Sequence, residues 1–412
     1  MRLALRRPWR EGTRALLFDP LDVLGRLAAL MPKPRDNGAT FSCDRFFLTV
    51  ILRAGNRPAA SRGGNMAGMR SFYRFAIVLG CLAVAPIDAR GATLCVNPGG
   101  TGGCFASIQA AVDAAVSRDR IEIAAGTYVG GVSIPARKGT ITIDGAGAGL
   151  TVLDGQNPNL HLLIVSGGGT RPTISNLTLT GSRIGAFVQI PAQATFVDVE
   201  FTGNEVGLEN LGKATVLRSN AVDNSDYGLY ARIKGSSLTV TDSTVSGNGQ
   251  GGVRIEVDSK AKIVNSTISG NGGFGVGEGV ATIESSTITD NGIGGIYLYA
   301  YSRTSVRSTI VSGNGALGGD CETQGGARLR VLGTSLIGDV GSCTVVAAAG
   351  LLLTGDPMLG PLQNNGGTTE THALLPGSPA IGVLTRGPLC KRPDQRGVAR
   401  STPCDIGAFE AP

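Results

Sequence analysis

An apolar residue recurs through the middle of the chain every 20 to 23 residues, at Leu179, Phe201, Val222, Val245, Ile268, Ile288 and Val311. Three positions after each stands a small polar residue: Ser182, Asn204, Ser225, Asn248, Asn271, Asn291 and Asn314. In five of the seven units a glycine follows three residues further on, at Gly185, Gly207, Gly228, Gly251 and Gly294. A fixed period near 22 predicts a solenoid. Within each unit short apolar/polar runs are broken by Gly and Asn, which is the pattern of strands and tight turns rather than of helices. The expected object is a parallel β-helix whose coils stack about 4.8 Å apart. The apolar column points inward. The Asn column sits at a turn, where Asn tolerates positive φ, and its stacked amides form a ladder.

A solenoid must cap its ends. Ser107–Arg118 reads SIQAAVDAAVSR and places Ile108, Ala111, Val112, Ala115 and Val116 on one helical stripe, with Ser107 as N-cap. This helix is expected to cover the first coil. The run GAGAG at 145–149 is not a dinucleotide loop, because strand pattern follows it.

Composition narrows the class. Aromatics are 5% of the chain and glycines number 63, without the three-residue period of collagen. The net charge of +6 is unevenly placed. The first 91 residues hold fifteen of the 37 Lys+Arg and six of the 31 Asp+Glu, leaving 22 and 25 for the body. A mildly acidic body lacks the basic excess of a nucleic-acid binder. Residues 70–91 carry Arg70 and Arg74, an apolar run Phe75–Ala85 and the small-residue site Ala89-Arg90-Gly91, the order of a secretory signal peptide. The run is too short to span a bilayer. Residues 66–91 are therefore read as the signal, starting at Met66 or Met69, and residues 1–65 as an over-extended or disordered leader. A lipoprotein box ending at Cys81 is the weaker reading. Six cysteines remain after export: Cys95, Cys104, Cys321, Cys343, Cys390 and Cys404. Fifteen pairings are possible. Sequence proximity favours Cys95–Cys104, Cys321–Cys343 and Cys390–Cys404. With no CxxC, zinc and thiol redox chemistry are not expected.

The stretches CFASIQAAVDAA, IEIAAGTYVGGVSI and TVLDG resemble the start of right-handed parallel β-helix proteins of the pectate-lyase-like superfamily. STIVSGN (308–314), LIGD (336–339), GDPMLGPLQNNGGTTETHALLPGSPAI (355–381) and DQRGVARSTPCDIGAFE (394–410) resemble the choice-of-anchor Q domain proteins. The resemblance implies an all-β, right-handed parallel β-helix, with cap and first coils over 92–175, regular coils over 176–320 and a family-specific segment over 321–412 that closes the last coil. It also implies a secreted or cell-surface, monomeric protein without a transmembrane span. In that family an anchoring signal often follows. The sequence given ends two residues after Glu410, so release or non-covalent retention is the expectation.

Few residues offer chemistry. His161 and His372 are the only histidines, and both are read as packing or surface residues. GxSxG is missing, and no His/Cys spacing suits a metal. The sequons at Asn176 and Asn265 follow from the repeat. The superfamily's enzymes use outward carboxylates, either paired as in hydrolases or holding calcium with an Arg or Lys base, as in lyases. In GGVRIEVDS the alternation sends Val253, Ile255 and Val257 in and Arg254, Glu256 and Asp258 out. One coil earlier Tyr230, Arg232 and Lys234 point out. Tyr297, Tyr299 and Tyr301 form an outward tyrosine series suited to stacking on sugar rings. Arg254, Glu256 and Asp258 are the catalytic candidates; the tyrosines, Arg232 and Lys234 are the ligand-binding ones. Asp223 and Asp226, beside Tyr227, form a second acidic set in a turn. The leading expectation is a polysaccharide-binding or adhesion protein without a cofactor. The alternatives are a calcium-dependent lyase or glycoside hydrolase, and a purely structural surface component.

Overall fold

The computed structural model describes residues 91–412, apart from 257, 301, 316–317 and 386–388, together with two short strands, Arg2–Ala4 and Ala15–Leu17. Those two strands pair antiparallel within a unit of their own, Met1–Cys81. The segments read from sequence as a leader and a signal peptide otherwise lie outside the described residues, apart from Gly91.

The second unit, Leu82–Pro412, is a parallel β-solenoid of about ten turns. Each regular coil contributes three strands, and each strand pairs with its counterpart one coil on. The first sheet has short strands: Asn220–Val222, Thr244–Ser246, Thr267–Ser269, Thr287–Thr289, Ile310–Val311 and Ser335–Ile337. The second, here the aromatic sheet, runs through Val206–Asn210, Tyr227–Ala231, Gly251–Ile255, Phe274–Gly277, Gly294–Leu298 and Gly319–Thr323. The third, here the basic sheet, runs through Lys213–Leu217, Ser237–Thr241, Lys260–Val264, Val280–Glu284, Arg303–Arg307 and Arg328–Val331. The core is a stack of aliphatic side chains such as Val240, Ile263, Ile283 and Val306, each 0–1% exposed.

The asparagine ladder exists. Asn248 Nδ2 donates to Asn271 Oδ1 at 2.8 Å, Asn271 to Asn291 at 2.8 Å, and Asn291 to Asn314 at 2.8 Å. Asp320 ends it by accepting from Asn314 at 2.9 Å. One unit differs from the sequence alignment. Asn224, not Ser225, carries the ladder between Asn204 and Asn248. Ala221, not Val222, pairs with Phe201 and Val245 in the core column. That unit is two residues shorter on one side and longer on the other, which a fixed period hides. Glycines stand against the ladder because a Cβ at Gly228 would lie 2.7 Å from Asn248 Nδ2, and one at Gly252 would lie 2.9 Å from Asn271 Nδ2. The expected Gly185, Gly207 and Gly228 do this, whereas in later coils Gly252 and Gly295 do it in place of the expected Gly251 and Gly294, and Gly275 does it as well. A second ladder runs beside the first. Ser219, Ser243, Ser266 and Ser286 each accept from the backbone N–H one coil before, at 3.0 to 3.2 Å.

The cap helix spans Ile108–Ala114, and Ser107 Oγ accepts from Ala110 N at 3.2 Å. Ile108, Ala111 and Val112 are buried. Val116 leaves the expected stripe and is 65% exposed, because the helix ends at Ala115, which is extended at ψ 143°. Asp119 accepts from the N–H of Val116 at 2.8 Å and of Ala92 at 2.7 Å, tying helix end to chain start. The three disulfides are those that sequence proximity favours: Cys95–Cys104, Cys321–Cys343 and Cys390–Cys404.

The C-terminal segment does more than close the last coil. Residues 356–385 and 389–412 run back along the short-strand sheet and reach Asp242, whose carbonyl accepts from Thr369 Oγ1 at 3.2 Å. Gln395 donates to Thr244 Oγ1 at 2.9 Å and accepts from Thr267 Oγ1 at 2.7 Å. Thr287 Oγ1 accepts from Ala408 N at 3.1 Å. The outward Ser/Thr of the repeat, Thr244, Thr267, Ser269, Thr287 and Thr289, are consequently buried. Beneath them Ile310 and Leu336 join Leu374, Ala380, Ile406 and Phe409 in a separate apolar cluster. His372 is part of this latch, with Nδ1 2.7 Å from Gly360 O and Nε2 2.8 Å from Ser269 Oγ. Arg400, its side chain 1% exposed, donates to Glu410, Asn265 and Gly407. The sequon residue Asn265 is buried under the latch, where Pro393 O accepts from it.

Candidate functional site

The aromatic sheet presents two rows of large side chains, the first alternating with glycine and the second broken by one glycine. Pairing places Tyr227, Gly251, Phe274 and Gly294 in the first row. Glu209, Tyr230, Arg254, Gly277, Tyr297 and Glu322 form the second. The glycines make room: a Cβ at Gly251 would touch the Tyr227 ring at 3.4 Å, and one at Gly294 would lie 2.9 Å from the Phe274 ring. Nothing stands within 4 Å of a Cβ built at Gly277. Gly277 is therefore the floor of an open notch, with Arg254 on one side and Tyr297 on the other.

The aromatic walls are ordered by contact. Phe274 and Tyr297 stack at 4.6 Å between centroids and 24° between planes. Tyr227 and Tyr230 lean together at 5.4 Å. Arg254 lies over the Tyr227 ring at 5.9 Å and pairs with Glu278 at 3.0 Å. Burial is the leading reason that the Tyr227, Tyr230 and Tyr297 hydroxyls ionise above their ordinary range, and carboxylates near each add to it. All three stay neutral, and their hydroxyls donate to Gln250, Glu256 and Gln324 in turn.

The expected cluster of six side chains is only partly brought together. Tyr230 and Arg254 meet across paired strands. Their strands end at Ala231 and Ile255, so Arg232, Lys234, Glu256 and Asp258 lie beyond the ladder. The expected alternation fails there because Ile233 and Asp258 turn the chain with φ of 69° and 67°. In those turns the charges pair. Arg232 meets Glu209 at 2.9 Å and Glu256 at 3.9 Å, and Lys234 meets Asp258 at 3.5 Å. Glu256 also accepts from the Tyr230 hydroxyl and from Ile233 N. Each expected catalytic group thus has an internal partner. Tyr299 follows the end of its strand at Leu298 and is 50% exposed, so it does not extend the row of Tyr297. Tyr301 and Val257 lie outside the described residues.

Asp226 is the acid that stands out. Its Oδ1 is buried and without a hydrogen-bond partner. Burial raises its carboxyl above the ordinary range, Glu205 adds to that, and Arg254 opposes it. Asp226 was named from sequence as part of a second acidic set in a turn; Phe274 was not singled out, and the signal for it was its place on the strand paired with that of Tyr297. The charge pattern of the basic sheet was also missed. KAKIV, RTSVR and RLRV put Lys260, Lys262, Arg303, Arg328 and Arg330 outward, which a charge count over the whole body cannot show. Among the described residues no group of three or more His, Cys, Asp or Glu gathers as a metal-binding set, and no helix is long and apolar enough to cross a membrane.

No curated protein sequence matches the chain. Pectate lyase Pel9A is similar in fold, at 19% identity and TM-score 0.57, over 79% of this chain and 97% of that one. The A-module of mannuronan C-5 epimerase AlgE4 from Azotobacter vinelandii matches at 20% identity and TM-score 0.44, over 60% of this chain and 76% of that one. The model of the right-handed β-helix region matches residues 140–278 and 233–347, together just over half of the sequence. The ladders, the three-strand coils and this match agree, and the chain belongs to the right-handed β-helix family.

Proposed function

We propose that the chain is an exported, polysaccharide-binding or adhesive β-helix protein, and that glycan lies across the aromatic sheet over Gly277. The observation that carries this is the open notch between Arg254 and the stacked Phe274–Tyr297 pair. Aromatic faces take the apolar side of a sugar ring, and the Arg254 guanidinium offers donors to hydroxyls or a carboxylate. The pectate lyase, by its name, acts on pectate, which makes polyuronates the first ligands to try. Export rests on the signal-peptide pattern and is supported by the three disulfides, which belong to oxidising compartments. The C-terminal latch is read as a choice-of-anchor Q-type segment, on its sequence motifs. Binding rather than turnover is favoured because Glu256, Asp258 and Arg254 are each held by a partner.

The test is affinity. Full-chain Tyr297→Ala and Arg254→Ala should each weaken binding to a polyuronate about tenfold or more with unfolding midpoints little changed. Unaltered affinity in both would overturn the placement.

One observation favours an enzyme, and it is Asp226. A carboxyl with a buried, unpartnered oxygen, raised above its ordinary range by burial and by Glu205, is the kind of group a hydrolase uses as general acid. If oligosaccharides are released from a glycan by the wild type and not by Asp226→Asn, the hydrolase reading replaces the binding one.

A further inference from the structure

The basic sheet carries a feature that the aromatic sheet does not explain. Arg303 and Arg328 stand opposite each other on paired strands, and Arg330 pairs with Ser305 beside them. All three arginines are exposed. Among the described residues no carboxylate reaches ion-pair distance of any of them, whereas Arg232 and Arg254 on the neighbouring face each meet one. Like charges directly opposite destabilise a sheet, and no acid offsets them here. The three arginines line a pocket of about 510 Å³ with Gly325 and Gly326, which leave its rim free of side chains.

Ser302 lines the same pocket. It is 5% exposed, and its hydroxyl has no hydrogen-bond partner. Two coils earlier the serine in the equivalent place, Ser259, donates to Ile233 O at 2.8 Å. Ser236, one coil before Ser259, is likewise buried without a partner for its hydroxyl, so the serine column does not single out the pocket and the arginines alone mark it.

We propose that this pocket binds a tetrahedral dianion, a phosphoryl or sulfate group. Guanidinium groups are permanently charged and form paired hydrogen bonds to such oxygens. A carboxylate would cancel one of three charges. A phosphate monoester carries about −1.5 to −2 and three acceptor oxygens, which matches three arginine forks more closely. The ligand is thus a phosphorylated or sulfated molecule, bound on a sheet separate from the aromatic notch.

Titration calorimetry of the full chain with inorganic phosphate, inorganic sulfate and glucuronate tests this. The expected result is one site for phosphate or sulfate, with glucuronate weaker by about tenfold or more. Which of the two anions binds tighter identifies the group. Arg328→Gln should remove the binding, and Arg303→Gln should weaken it without lowering the unfolding midpoint. Arg307→Gln, on a strand position outside the pocket, should leave it unchanged. If Arg328→Gln does not fold, Arg330→Gln takes its place. No saturable heat with either dianion, glucuronate binding as well as phosphate, or full affinity in the arginine variants would overturn the proposal.

Discussion

Arg254 is the residue on which the aromatic face turns. It is half-buried between Tyr227 and Glu278. A partly exposed ion pair contributes about 0–1 kcal/mol to stability, so Arg254→Ala should leave folding nearly untouched while binding falls. Arg254→Lys should recover part of the affinity, because it restores charge but not the planar fork. Asp226 makes the converse prediction. Burial holds its carboxyl pKa in the fold above the ordinary 3.8. The stability due to its proton is fully present below 3.8 and is lost as pH rises through the folded value. Asp226→Asn keeps a neutral group at every pH. The variant should melt higher than wild type at neutral pH, and the gain should shrink as pH falls and vanish below 3.8. A gain independent of pH would refute the assignment. Asn271 tests the ladder. Its Oδ1 accepts from Asn248, and its Nδ2 donates to Val245 O and to Asn291. Asn271→Ala leaves buried partners unpaired and should cost about 1–3 kcal/mol per stranded group in urea unfolding.

Among the elements, the latch is where the repeat acquires a second purpose. Thr267 and Ser269 in NSTISGNGG face outward from the coil yet are 0% and 2% exposed, because Gln395 and His372 bond to them. From sequence these residues read as generic β-helix polar positions, and the long C-terminal motif read as an end closure. Nothing in the local pattern shows that a segment more than a hundred residues away returns to cover four coils. Arg400 and Glu410 hold that return in place, at 3.2 Å and with both side chains buried. Burial lowers the Arg400 pKa from its usual range and Glu410 opposes the shift. Arg400→Ala would strand a buried Glu410 and should destabilise by about 3–5 kcal/mol. Chemical unfolding with fluorescence or circular dichroism measures this, and a loss below about 1 kcal/mol would mean that the latch is loosely seated.

At the scale of the whole molecule, the solenoid was legible because its core column and ladder recur in every coil. Ile268 and Ile288 are fixed by period alone, and both are fully buried. The slip at Val222 came from one unit of unequal length, where Ala221 is too small to stand out as apolar. The candidate face was less legible, since strand ends decide which side chains share a row. Alternation predicted Arg232 and Glu256 beside Tyr230 and Arg254, and left-handed turns at Ile233 and Asp258 moved them into ion pairs instead. What remains on the face is an aromatic and arginine surface with an open floor at Gly277. The measurement that tests the account most directly incubates the full chain with a panel of acidic and neutral polysaccharides, with and without calcium, recording bound protein and released oligosaccharides together. The account predicts saturable binding to at least one acidic polysaccharide, lost in Arg254→Ala, with no products. Released oligosaccharides, or no binding to any member of the panel, would contradict it.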